Sequence, residues 1–243
     1  MKDMSWLKTE FIAHRGLHTS DGSVPENSRT AFIEAMNAGY AIECDLNVLG
    51  DGTVVVFHDN NMLRLCGKNI ALNDITYEKM KEIFYLNTTE SILTLKDLVE
   101  LIDGKVPLLI ELKPFGNIKQ LCENTMALLK SYQGRYALFS FHPKIVYWLK
   151  KHHPSVIRGQ ISSFFKDENM RKFNKYLAKK MVFNRYTKPD FISYDIHDLP
   201  NKYADQAAKK GLPVLSFAAQ TQQAFDRIKA HYDNVVFEYF IPK

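Results

Sequence analysis

Four short clusters hold the side chains whose types and spacing could do chemistry: Ala13-His14-Arg15-Gly16, Glu43-Cys44-Asp45, His58-Asp59 and Glu111-Leu112-Lys113. Glu43 and Asp45 are two residues apart, so in a strand they share a face. Carboxylates brought together repel one another unless something neutralises them. A divalent cation does so, and oxygen-only ligands favour Mg²⁺, Ca²⁺ or Mn²⁺ over a structural zinc. Arginine and lysine suit phosphate oxygens. Histidine, with an unperturbed pKa near neutrality, suits general acid–base work. The set therefore has the parts that hydrolysis of a phosphodiester requires. Glu43, Asp45 and Glu111 hold the cation, Arg15 and Lys113 contact phosphate, and His14 and His58 exchange protons. Order along the chain does not say which histidine is the acid. The alternative for each residue is ordinary: a hydrogen-bonding histidine at a strand end, or a carboxylate facing solvent. Against that, Ile42, Cys44 and Leu46 give their strand a single apolar face, whereas strands of a parallel barrel are apolar on both.

The elements that must position these groups are short, β-rich apolar runs: Phe11–His14, Ala41–Val48, Val54–His58, Leu108–Leu112, Tyr136–Phe141, Ile157–Ile161, Phe191–Tyr194, Pro213–Ala218 and Val235–Phe237. Helical periodicity separates most of them. Ala31, Phe32, Ala35 and Met36 share a face, as do Ile118, Leu121, Thr125 and Leu128, and then Ala204, Ala207 and Ala208. Strand–helix alternation points to a parallel sheet covered by helices. Only Leu49-Gly50-Asp51-Gly52-Thr53 joins the second run to the third, too few residues for a parallel crossover. Val54–His58 is therefore an antiparallel return strand, with Asp45 opposite His58 to within about a residue. Eight parallel strands remain, which predicts a TIM (β/α)8 barrel whose strand C-termini gather the four clusters. A single domain over residues 1–243 is expected. It carries a small insertion at about 59–105, with helices over Thr76–Phe84 and Leu95–Ile102.

Composition agrees with a globular enzyme. The 243 residues are 46% hydrophobic and 24% charged, which excludes disordered and fibrous classes. No apolar run approaches the roughly 18 residues of a membrane span. Met1 to Glu10 carries Lys2, Asp3, Lys8 and Glu10 and lacks the apolar core of a signal peptide, so a cytoplasmic location is expected. Three cysteines without metal-type spacing, Cys44, Cys66 and Cys122, fit a reducing compartment. The net charge of +5 suits a phosphorylated small molecule and gives no sign of a nucleic-acid partner.

In order and spacing the clusters resemble the glycerophosphodiester phosphodiesterase family. Its HRG, PENT, ExD, DG, HD and LxR motifs stand here as His14-Arg15-Gly16, Pro25-Glu26-Asn27-Ser28, Glu43-x-Asp45, Asp51-Gly52, His58-Asp59 and Leu63-Arg64. Thr94-Leu95, Glu111-Leu112-Lys113 and Ser140-Phe141 match its later elements. The resemblance is dense over about residues 11–115 and thin afterwards. It implies a metal-dependent TIM barrel with a small insertion after the His-Asp motif. It also implies metal ligands at Glu43, Asp45 and Glu111, catalytic histidines at His14 and His58, and phosphate contacts from Arg15 and Lys113. The expected substrate is a glycerophosphodiester, cleaved to glycerol phosphate and an alcohol. Three departures stand out: Ser28 for the motif's Thr, Ser216-Phe217-Ala218 where the family has a Trp-Thr pair, and Phe237-Glu238-Tyr239-Phe240 at the closing motif. The last two bear on the alcohol side of the pocket. Asn27 and Ser28 have two readings of equal weight, a cap on the next helix or a contact to substrate.

One stretch lies outside this scheme. Residues 164–188 carry eight lysines and arginines against Asp167 and Glu168, a surplus of six positive charges, interleaved with Phe164, Phe165, Phe173, Tyr176, Met181 and Phe183. It reads either as a crossover helix with one core face and one solvated face, or as a lid or peripheral lipid contact. The second option keeps open a lysophospholipid or sphingolipid-type diester as substrate. A catalytically silent barrel that binds phosphodiesters or a protein partner is the reading from another class. The oligomeric state is not legible.

Overall fold

The structure, a computed structural model, describes residues 2–166 and 168–243. Asp167, counted in the charge of the basic stretch, lies outside the described residues. The fold is α/β, a TIM (β/α)8 barrel with one additional strand. Its strands are β1 (Ile12–Ala13), β2 (Ala41–Val48), β3 (Val54–Val56), β4 (Leu108–Leu112), β5 (Tyr136–Ser140), β6 (Arg158–Ser162), β7 (Phe191–Asp195), β8 (Val214–Ala219) and β9 (Asn234–Phe237). The chain divides into two compact units, residues 13–136 and residues 1–12 with 137–243.

In the unit 13–136, β2 is buried along its whole length. It pairs parallel with β4, which sets Asp45 directly beside Glu111, and antiparallel with β3, as the short connection demands. The connecting turn is closed by Gly52 N–H to Leu49 O at 3.0 Å, with Gly52 at φ +89°. The return strand is shorter than expected. It ends at Val56, although Phe57 N–H still donates to Asp45 O at 2.9 Å. Asn47 accounts for the early end. Its side-chain amide donates to the carbonyls of Phe57, His58 and Asp59 at 2.8, 3.3 and 3.2 Å, so these carbonyls bond a side chain where a strand would use a ladder. Asp45 thus stands opposite Phe57, and His58 sits in the loop beyond.

Helix Arg29–Asn37 buries Ala31, Phe32 and Ala35. Helix Ile118–Leu129 buries Leu121, Cys122, Thr125, Met126 and Leu129, a face rotated slightly from the expected one because Cys122 and Met126 also pack inward. Helix Leu95–Ile102 begins on a Thr94–Asp97 capping box. The expected helix over 76–84 is a single turn, Tyr77–Met80; Tyr85 N–H then bonds Glu90 O at 2.9 Å and the chain folds back. Residues of the insertion, among them Met62, Cys66, Leu72, Met80 and Tyr85, pack with Leu49, Val55 and Phe57 into one buried cluster.

In the second unit, β5 to β9 are consecutive parallel neighbours. Gly159 on β6 is required there, since a Cβ would stand 2.3 Å from the Phe191 ring. Asn234 ties β9 to the N-terminal turn through Leu7 O and Glu10 O, at 3.0 and 2.8 Å. Helix Lys202–Lys209 buries Ala204 and Ala207 and leaves Ala208 exposed. Helix Lys172–Lys179, inside the basic stretch, buries no residue, and Phe173 is 69% exposed. Leu177 and Ala178 on it are half-buried, the carbonyls of Ala178 and Lys179 accept from the Ser162 and Tyr194 hydroxyls at 3.0 and 2.9 Å, and Met181 just beyond it is buried, so one face packs and the other is solvated. Cys44, Cys66 and Cys122 are free and buried.

Candidate active site

Glu43 and Asp45 come from the middle of β2, Glu111 from the C-terminal end of β4 and Lys113 from the residue just beyond it, and all four are buried. One carboxylate oxygen from each of Glu43, Asp45 and Glu111 lies within 4.8 Å of the others. Strand geometry produces this grouping: Glu43 and Asp45 share a face of β2, and the parallel register brings Glu111 alongside Asp45. The charges are balanced unevenly. Lys113 Nζ is 2.9 Å from both Asp45 Oδ1 and Glu111 Oε2, and Arg15 Nε is 3.1 Å from Asp45 Oδ2. Burial pushes Asp45 up, but Lys113 and then Arg15 outweigh it and hold its carboxyl well below the usual range. Burial and then the charge of Asp45 push Glu43 well up. Burial, only partly offset by Lys113, raises Glu111 as well. Burial pushes Lys113 down, yet Asp45 and Glu111 hold its ammonium above the ordinary value.

This site fits a hard divalent cation. The donors are all carboxylate oxygens, and Glu111 Oε1 is buried with no hydrogen-bond partner among the described residues. Burial, with the charge of Asp45, drives Glu43 and Glu111 toward protonation, and a cation held by them would favour their charged forms.

His14 and Arg15 follow β1 in a sharp turn. Arg15 has φ +54° and Gly16 φ +79°. A Cβ on Gly16 would stand 2.7 Å from the Ala31 carbonyl, so glycine lets the turn sit against helix Arg29–Asn37. The turn points His14 Nε2 at Glu43 Oε2, at 3.8 Å, and the Arg15 N–H donates to the same oxygen at 3.2 Å. His58 is about one-third exposed, and its field reaches Asp45 and Glu111. Its Nδ1 lies 2.7 Å from Asp59 Oδ1. All the sequence-predicted site residues thus lie in the unit 13–136, with the three carboxylates, Arg15, Lys113 and His14 in one cluster and His58 within electrostatic range.

Four residues matter more here than the sequence indicated. Ser28 is the helix cap, accepting from Ala31 N–H at 3.2 Å. Asn27 instead faces the carboxylates: its Nδ2 donates to Asp45 Oδ2 at 2.9 Å and its Oδ1 accepts from Asp45 N–H at 3.3 Å. It does so from φ +58°, a conformation asparagine tolerates better than most residues. Glu26 accepts from Arg15 Nη1 at 2.6 Å and is also gripped by Arg64, which reaches Asp59 as well. Asp59 is next to His58 in sequence and Asn27 is a capping candidate, but nothing except their place in the motifs could have pointed to Glu26 and Arg64, because their partners are set by loops.

Residues 14–234 match the sequence model described as the glycerophosphoryl diester phosphodiesterase family. A glycerophosphodiester phosphodiesterase of Bacillus altitudinis is 31% identical over 112 residues, and the match spans 43% of this chain and 44% of that relative's length. YhdW of Bacillus subtilis is 31% identical over 94% of each chain. Among solved structures, a phosphodiesterase of Oleispira antarctica in complex with the product sn-glycerol-3-phosphate superposes with a TM-score of 0.79 at 22% identity, over 97% of this chain and 95% of that one. That likeness carries the TIM-barrel fold.

Proposed function

The chain belongs to the glycerophosphoryl diester phosphodiesterase family, and from that premise we propose that it is a divalent-cation-dependent phosphoric diester hydrolase. It cleaves glycerophosphodiesters to glycerol phosphate and an alcohol. The observation that carries this reading is the buried triad of Glu43, Asp45 and Glu111, its ligand oxygens within 4.8 Å of one another and His14 at its edge. When bound by these three, Mg²⁺ or Ca²⁺, with Mn²⁺ also suited, supplies Lewis acidity toward the phosphoryl oxygens.

The chain's own groups do the rest. Arg15, oriented by Glu26, binds non-bridging oxygens, and Lys113 adds positive charge where the phosphate sits. His14 and His58 exchange protons with nucleophile and leaving alkoxide. Hydrogen bonds from His58 and Arg64 overcome the effect of burial and hold the Asp59 carboxyl below the usual range. Asp59 therefore only accepts, and the His58 ring must carry a proton on Nδ1. That leaves His58 Nε2 as the atom that handles the transferred proton.

Turnover of a glycerophosphodiester by the purified protein, before and after chelation, tests the reading. Activity lost on chelation and restored by Mg²⁺ or Ca²⁺ is expected. His14→Ala and His58→Ala should each lower kcat by about 10²–10⁴-fold. Full activity after exhaustive chelation, or in both histidine variants, would overturn it.

A second substrate reading, a lysophospholipid or sphingolipid-type diester reached by peripheral lipid contact, is favoured by one observation. Helix Lys172–Lys179 has no buried residue, and Phe173, Tyr176, Phe183 and Tyr186 are exposed among the lysines. That is how an element lying on an anionic lipid surface is built. Among the described residues, no helix is long and apolar enough to cross a membrane, and a cytoplasmic location remains part of the proposal. Rates on diesters that differ in alcohol and acyl chain separate the two readings.

A further inference from the structure

The proposed reaction needs the Arg15 guanidinium and the His58 imidazole held in fixed relation, yet they come from separate loops. A continuous run of charge-assisted hydrogen bonds joins them. Glu26 Oε1 accepts from Arg15 Nη1 at 2.6 Å and from Arg64 Nη2 at 2.8 Å, and Glu26 Oε2 accepts from Arg64 Nη1 at 2.8 Å. With its other edge Arg64 donates from Nε to Asp59 Oδ2 and from Nη2 to Asp59 Oδ1, both at 2.8 Å. Asp59 Oδ1 then meets His58 Nδ1 at 2.7 Å. One guanidinium therefore forks to two carboxylates at once, each carboxylate holding one catalytic group. Arg64 is placed by helix Leu63–Cys66, which Met62 and Cys66 anchor in the buried cluster of the insertion.

We propose that Arg64 is a positioning residue, and that the insertion serves catalysis by delivering it: Arg64 fixes Asp59 so that His58 presents Nε2, and fixes Glu26 so that Arg15 faces the phosphate. This rests on the reading of His58 and Arg15 as reacting and phosphate-binding groups. Its geometry demands a planar fork. Lysine, a point charge without that fork, cannot satisfy four carboxylate oxygens in these directions. The side chain is also 49% exposed, and half-exposed ion pairs add little stability. A clip that only braced the insertion would show itself in stability, whereas a positioning residue shows itself in turnover and in the imidazole.

The test compares wild type, Arg64→Ala and Arg64→Lys, each verified as folded by thermal unfolding. With a glycerophosphodiester and Mg²⁺, Arg64→Ala should lose about 10–100-fold in kcat, the range for removing a group that orients a site residue. KM should change less. Millimolar guanidinium ion should return a substantial part of kcat to Arg64→Ala and little to Arg64→Lys. Independently of turnover, ¹⁵N spectra of the His58 ring should show a single Nδ1–H tautomer in wild type and a mixture in Arg64→Ala. That reading survives even if the substrate proposal fails, so the two failures are distinguishable. If Arg64→Ala does not fold, Arg64→Lys carries the same comparison of kcat and tautomer. An unchanged tautomer would overturn the proposal. So would a wild-type kcat in folded Arg64→Ala, or a loss of kcat that guanidinium does not restore.

Discussion

At the scale of single residues, the side chain with most to lose is Asn27. It is buried, strained at φ +58°, and bonded twice to Asp45. Asn27→Ala should cost about 1–3 kcal/mol of stability, because it strips hydrogen bonds from a buried carboxylate. Cation affinity should fall about 10–100-fold, as for other residues that hold a metal ligand from behind. Urea unfolding and cation titration measure the two effects. An unchanged affinity would mean that Asp45 is fixed by Lys113 and Arg15 alone. The sequence made Asp45 legible because Glu-x-Asp on a strand is a local pattern. It left Asn27 ambiguous with Ser28, since either could cap a helix, and only the loop conformation decides which one does.

At the scale of elements, the turn after β1 carries both a histidine and an arginine, and its shape depends on Gly16. Gly16→Ala meets the Ala31 carbonyl at 2.7 Å from a positive φ, so the turn must lift from helix Arg29–Asn37. A loss of more than about 1 kcal/mol is expected, with a fall in activity that exceeds the fall in folded fraction because His14 and Arg15 move together. Circular dichroism and steady-state rates on the same sample check this. Most strands were readable to within a residue or two, since apolar β-rich runs bounded by turn residues are dictated locally. The tight Leu49–Thr53 connection likewise forced β3 to be antiparallel. The return strand and the helix at 76–84 came out shorter than expected because tertiary partners intervene. Asn47 takes the carbonyls of residues 57–59, and residues 85 and 90 pair across a fold-back.

At the scale of the whole molecule, the charge of the carboxylate triad links cation binding, pH and stability. Glu43 and Glu111 are raised above their ordinary value of 4.5, so the cation-free folded state holds protons that the unfolded chain has released. Its stability from these two groups therefore falls as pH rises above about 4.5 and through the folded values. Asp45 and Glu26 are depressed, and what they contribute is present above their unfolded values and lost as pH falls through the folded ones. A cation held by the proposed triad would replace the protons on Glu43 and Glu111. The rise in Tm produced by Mg²⁺ or Ca²⁺ should therefore grow as pH increases above about 5, reaching about 2.7 kcal/mol of stabilisation at a hundredfold excess over Kd. A shift that is flat with pH would contradict the triad as ligand set. The fold class was legible from strand count and alternation. How deeply residues 164–188 pack was not, because an amphipathic pattern reads alike whether its apolar face is fully or only half covered.

The three sealed thiols make the protein its own stopwatch. Burial, reinforced by the flanking carboxylates, lifts the Cys44 thiol well above its normal range, and burial lifts Cys66 to about 11 and Cys122 to about 12. An alkylating reagent at neutral pH finds almost no thiolate until the chain opens locally. Because Cys44 sits between Glu43 and Asp45, its labelling rate times the breathing of the strand that supplies two of the proposed ligands. Saturating Mg²⁺ or Ca²⁺ should slow modification of Cys44 far more than that of Cys122, a contrast that peptide mass mapping can follow without any substrate.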